Sequence, residues 1–136
     1  MLNKVAMLNK IEELVGIQFV DGGRTPEEGF DCWGLVKWIY HMRGIELPNY
    51  PIPADNRDAV NDKMIKELVK WEKIEQPKEG DMVLLELAEG VPNHVGICLR
   101  DGDFIHAYGK SVVIDRLRRW NSRVVGFYRP TEESYV

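Results

Sequence analysis

Residues 3–15 carry Val5, Leu8, Ile11, Leu14 and Val15 at spacings of three and four, which predicts one face of an amphipathic helix. Gly16 is a natural stop for it. The stretch Asp21-Gly22-Gly23-Arg24-Thr25-Pro26-Glu27-Glu28-Gly29 has no period and is rich in turn residues, so it reads as an irregular loop. The helical period returns with Leu35, Val36, Ile39, Tyr40 and Met42, and it ends near Gly44. Asp31 is well suited to cap this second helix, which puts Cys32 at its head. Pro48, Pro51 and Pro53 make the next segment an extended connector. Val60, Met64, Leu68 and Trp71 predict a third, more exposed helix over 55–71.

The second half has a different texture. Short β-branched or aromatic runs occupy 82–87, 94–99, 104–108, 111–114 and 124–128, parted by turn residues such as Gly80-Asp81 and Asp101-Gly102. Helices followed by strands, with no internal repeat, predict an α+β fold in one domain over 1–136.

Composition narrows the function. With 44% hydrophobic and 29% charged residues, 136 residues can bury a core without metals or disulfides. A net charge of −4 argues against nucleic acid, and the cluster Arg116, Arg118, Arg119 is short enough to be solvated surface. The sequence lacks a run of 18 apolar residues, so no membrane span is expected. The N-terminus has no apolar signal-peptide core, so synthesis in the cytoplasm without a leader is expected. Cys32 and Cys98 sit in no CxxC pair, and the histidines and cysteines show no metal-ligand spacing. No metal or other cofactor is expected.

Chemistry centres on Cys32. Unpaired N–H groups at a helix head favour a thiolate there, although the Asp31 carboxylate works against it unless it is engaged in capping. Gly34 would leave room for a substrate backbone. Of the three histidines, His41 lies nine residues along the same helix and is out of reach. His94 opens a strand, and Gly96 after it suggests close approach by another backbone. His106 lies twelve residues on and could hold His94 as the third member of a triad. A two-residue turn at Asp101-Gly102 would pair Ile97 with His106 and put the two rings on opposite faces. They meet only if the turn is wider or a bulge intervenes. Cys98 reads as core.

Asp31-Cys32-Trp33-Gly34-Leu35-Val36 resembles the Asp-Cys-Ser-Gly-Leu-Val box of NlpC-type cysteine peptidases, which are papain-like cell-wall hydrolases. His94-Val95-Gly96-Ile97 resembles their His-Val-Gly-Ile box, and Asp103-Phe104-Ile105-His106-Ala107 the segment with their third triad residue. Pro77-Lys78-Glu79-Gly80-Asp81 is similar to the turn before their first core strand, and Gly16 to Gly23 to their Gly-x-x-Tyr-x-x-Gly-Gly segment.

The resemblance implies a papain-like fold, with helices on an antiparallel sheet of about five strands. It implies Cys32 as nucleophile, His94 as general base and His106 as its orienting partner, with the backbone of Cys32 and Trp33 forming the oxyanion site. Substrate contacts would come from Phe19, Asp31, Trp33 and Asn93, and Asp21, Glu27 and Glu28 could line an acidic groove. The implied partner is a peptidoglycan stem peptide, cut at a D-glutamyl–diamino acid bond. Phe19 stands where the family has tyrosine, and Trp33 where it has serine. A large residue after the cysteine, like the ending from Trp120 to Pro130, resembles the branch in phage tail and gene-transfer-agent proteins, which implies other tail proteins as partners. Two rival roles fit the same residues: a tail-tip structural protein with little turnover, and a thiol amidase or acyltransferase.

Overall fold

The computed structural model describes residues 4–49, 66, 70–88 and 90–131. Of the predicted helix over 55–71 only residues 66, 70 and 71 are described: Lys66 is helical, as expected, but Trp71 opens a strand.

Helix α1 (Lys4–Glu12) is shorter than its apolar stripe suggested. Ile11 and Leu14 are buried, but Val15 lies in the turn after the helix and is exposed. The loop that follows contains a small hairpin, β1 (Arg24–Thr25) with β2 (Gly29–Phe30). Helix α2 (Cys32–Met42) starts at the expected residue. Asp31 is its N-cap in extended conformation, and its carboxylate accepts from the Gly34 N–H at 2.7 Å.

Six strands form one antiparallel sheet in the order β3-β8-β4-β5-β6-β7. They are β3 (Trp71–Ile74), β4 (Met82–Ala88), β5 (Val91–Cys98), β6 (Asp103–Tyr108), β7 (Ser111–Arg116) and β8 (Val124–Pro130). The added strand is β3, whose short Trp71-Glu72-Lys73-Ile74 run is too polar to stand out by alternation. Side-chain alternation divides the interior into two layers. On one face Met82, Leu84, Val95, Ile97, Ile105 and Val112 pack against Leu35, Val36, Ile39 and Tyr40 of α2. On the other, Val83, Leu85, Cys98 and Phe104 are covered by Leu117, Trp120, Val124 and Phe127. The 3₁₀ segment Leu117–Arg123 supplies part of that cover. No helix among the described residues is long and apolar enough to cross a membrane.

The turn from β5 to β6 settles the register. A 3₁₀ turn, Arg100–Gly102, replaces the tight two-residue hairpin, with Asp101 in the left-handed region at φ 58° and Leu99 N–H bonded to Asp103 O at 2.8 Å. Ile97 therefore pairs with Ile105, not His106. This one-residue shift turns His106 onto the face that carries His94.

Gly34 has a different role from the one expected. A Cβ there would stand 2.0 Å from the carbonyl oxygen of Gly23, so the gap is filled by the loop and not by a substrate. Neither backbone can yield without moving α2 or the loop that holds Asp31. Gly34→Ala should therefore cost about 3 kcal/mol, lowering the thermal midpoint by roughly 10 °C. Calorimetry beside the parent protein checks this.

Candidate active site

Backbone direction brings the cysteine to the sheet. Along β5 the N–H groups alternate sides: Cys98 donates to Asp81 O on the β4 side, and Leu99 donates to Asp103 O on the β6 side. Val95 therefore aims its N–H towards β6. The β5–β6 pairing runs through Cys98 and Ile97 and stops there, so that N–H has no ladder partner. It lies instead towards the sulfur of Cys32, as does the N–H of Trp33, and both favour the thiolate electrostatically. Cys32, at the head of a helix on one face, is thus seated at the parting of two strands, beside the residue that follows His94.

The other face carries the histidines. Gly96 lies between them in the pleat, and a Cβ there would stand 2.8 Å from Ile105 O and 3.1 Å from the Cβ of His106. This close approach, which the glycine signalled, lets His94 Nε2 meet His106 Nδ1 at 2.8 Å. His106 Nε2 in turn lies 2.7 Å from Oδ2 of Asp115. Aromatic rings enclose the pair: Trp120 lies near-parallel to His94 at 6.5 Å, and Tyr108 stacks on His106 at 5.5 Å. His94 and His106 are 2% and 0% exposed.

Burial sets the charge states. Burial and then the neighbouring His106 push His94 down to about 3. His106 is also lowered by burial, against the opposing pull of its bond to Asp115. The Cys32 thiol is pushed up to about 12, first by burial and then by Asp31; the N–H groups of Val95 and Trp33 and the charge of Arg24 pull the other way. Cys32 keeps some exposed surface, but its sulfur is closely surrounded by protein. Burial thus favours the neutral thiol and the neutral imidazole, not the thiolate that the helix head alone suggested.

The remaining predicted residues are engaged within the protein. Asp31 is 4% exposed and, besides Gly34, accepts from Gly22 N–H at 3.0 Å and from Arg24 Nη1 at 2.7 Å. Trp33 is 5% exposed, and its Nε1 donates to Pro48 O at 2.9 Å; a side chain in the core cannot form a substrate wall. Buried Asn93 accepts from Leu87 N–H at 3.2 Å, bridging the bulged part of the β4–β5 pair. Phe19 is half-buried against the core, with its N–H on Lys110 O. Asp21, Glu27 and Glu28 are exposed, with Glu28 accepting from Thr25 Oγ1. Cys98 is core, as expected. His41 is exposed and bonded to Glu46.

Two contributors escaped the sequence reading. Asp115 lies one residue past the expected end of its strand, although counting back from the Gly109-Lys110 turn aligns it with Phe104 and hence with the histidine face. Arg24 lay in a loop read for its acidic residues.

The family model described as NlpC/P60 matches residues 16–129. The chain belongs to the NlpC/P60 family. Among curated NlpC/P60 relatives, the gamma-DL-glutamyl hydrolase of Bacillus subtilis is 33% identical over 131 residues, covering 92% of this chain and 29% of the relative. The murein DD-endopeptidase MepH of Escherichia coli is 33% identical over 131 residues, covering 93% and 45%. The tail tip assembly protein K of Escherichia phage lambda is 29% identical over 89 residues, covering 62% and 45%. The chain thus spans less than half the length of these relatives. A solved NLP/P60-family structure from Staphylococcus aureus superposes with a TM-score of 0.71 at 24% identity, covering 96% of this chain and 43% of that one, and so shares its fold.

The buried neutral histidines imply an acid sensitivity. Above about pH 6.5 both the folded and the unfolded chain leave them neutral. Below it the unfolded chain takes up protons that the folded chain refuses, so stability falls as the pH drops from ~6.5 towards ~3. His94 alone should remove about 2 kcal/mol by pH 5, before most carboxylates protonate. Urea midpoints at pH 8, 6.5 and 5 check this: the drop from the first to the second should be small and that from the second to the third several times larger.

Proposed function

We propose that this NlpC/P60 domain is a cysteine peptidase acting on peptidoglycan stem peptides, with Cys32 as nucleophile and His94 as base. The observation that carries the reading is the seating of the Cys32 sulfur on the Val95 N–H, next to a histidine whose Nε2 is already tied to His106. That leaves Nδ1 of His94 to act as the base.

As Sγ bonds to the substrate carbonyl carbon, its proton passes to His94 Nδ1. The neutral resting pair suits this transfer, because charge develops only as attack proceeds. The backbone N–H of Cys32 at the head of α2 stabilises the growing oxyanion, and that of Trp33 joins it as the sulfur gives up its electron pair to the new bond. Collapse breaks the C–N bond, and His94 returns its proton to the departing amine. Water then attacks the thioester with His94 again taking a proton, which releases the acid and restores the thiol. His106 holds the ring throughout.

The bond proposed is the D-glutamyl–diamino acid link, in keeping with the 33% identity to the gamma-DL-glutamyl hydrolase. Likeness to tail tip protein K and Trp33 after the cysteine favour a phage-tail setting, with other tail proteins as neighbours. The same likeness carries the alternative of a tail-tip structural role without turnover.

Purified murein incubated with the protein should release soluble peptides. Cys32→Ala, Cys32→Ser and His94→Ala should each lower the rate at least ~10³-fold with the fold retained. His106→Ala, acting through His94, should lose roughly 10- to 100-fold. Equal release by the parent and Cys32→Ala, or none by either, would leave the structural role standing in place of the enzymatic one.

A further inference from the structure

The proposed triad ends at His106, but the hydrogen-bonded chain does not. Two tautomer pairs satisfy a lone bond between His94 Nε2 and His106 Nδ1. In one, His94 donates from Nε2 and keeps a lone pair at Nδ1. In the other, His106 donates from Nδ1, and neutral His94 carries its proton on Nδ1, where it can accept none from a thiol. The 2.8 Å contact is compatible with both.

Asp115 breaks the tie. Its carboxylate accepts only, so at 2.7 Å the Nε2 of His106 must be the donor. A neutral His106 protonated at Nε2 presents a lone pair at Nδ1, and His94 must then donate from Nε2. We infer that Asp115 is a positioning residue that sets the tautomers of both histidines in series, leaving the lone pair of His94 at Nδ1. This rests on the reading of His94 as the base.

Register delivers the carboxylate. Asp115 on β7 stands opposite Phe104 on β6, and His106 is its diagonal neighbour on the same face. Its side chain is 31% exposed, while His106 is fully enclosed, so the carboxylate is solvated at one edge and bonded at the other. It also offsets charge: when His94 takes up the thiol proton, the imidazolium is one ring away from an anion.

The test uses the ¹⁵N-labelled 136-residue chain at pH 7, with long-range ¹H–¹⁵N correlations reporting which ring nitrogen carries each proton. Both histidines of the parent protein should show protonated Nε2 and bare Nδ1. In Asp115→Asn, where either amide atom can face the ring, a fraction of both should move to the Nδ1–H form. Murein hydrolysis should then drop roughly 10- to 100-fold in kcat with KM within about twofold, and Asp115→Glu should recover part of it.

A parent protein with Nδ1–H on His94 overturns the inference, and this measurement stands even if the Asn variant fails to fold. So do unchanged tautomers in Asp115→Asn, or a kcat within about twofold of the parent. A parent that is inactive on murein while showing the expected tautomers defeats the peptidase reading alone.

Discussion

The N–H of Val95 points at the sulfur of Cys32 because β5 and β6 stop pairing at Ile97, and much of the site follows from that. A continuous ladder would have engaged this N–H within the sheet and sealed the side that bears α2 from the side that bears the histidines. Gly96 lets the β6 backbone come close at one point, and the wide 3₁₀ turn at its end sets the register with which the two strands begin. One backbone donor thus joins two faces that the sheet otherwise separates.

Around this junction the protein handles charge by enclosure. His94, His106 and the Cys32 sulfur are surrounded by apolar and aromatic groups, which favours the neutral form of each. The carboxylate nearest the sulfur, Asp31, is held by two backbone N–H groups and the Arg24 guanidinium. It fixes the head of α2, and Arg24 partly offsets its effect on the thiol. Asp115 does its work from the far end, where solvent reaches it. The two acids bracket the site without either one lying inside it.

Much of this was legible in the chain. The N-cap at Asp31, the start of α2 and five of the six strands follow from periodicity and capping chemistry. The pairing of His94 with His106 did not, because Asp101-Gly102 reads as a tight hairpin turn. Only Asp101 adopting a left-handed conformation inside a longer turn brings the rings to one face. Trp33 and Asn93, beside the proposed nucleophile and base, were expected to contact substrate, yet both side chains are buried. Position next to a reactive residue says little about which way a side chain points when helix and strand alternate their faces so quickly. Asp115 was missed for the opposite reason: an acidic residue at a strand's end looks like a boundary, and only the register count assigns it to the histidine side.

Strand order has a consequence for how the domain comes into being. The last strand of the sheet in sequence, β8, lies between β3 and β4, and its Arg129 makes a double hydrogen bond with buried Asp81 at the start of β4. A nascent chain that has emerged only as far as β7 has every other strand in hand but lacks the one that joins β3 to β4, so β3 has nothing to pair with and β4 presents an open edge. The sheet therefore closes only once residues 124–130 are available to it, and a product cut short before them carries a sticky, unfinished sheet.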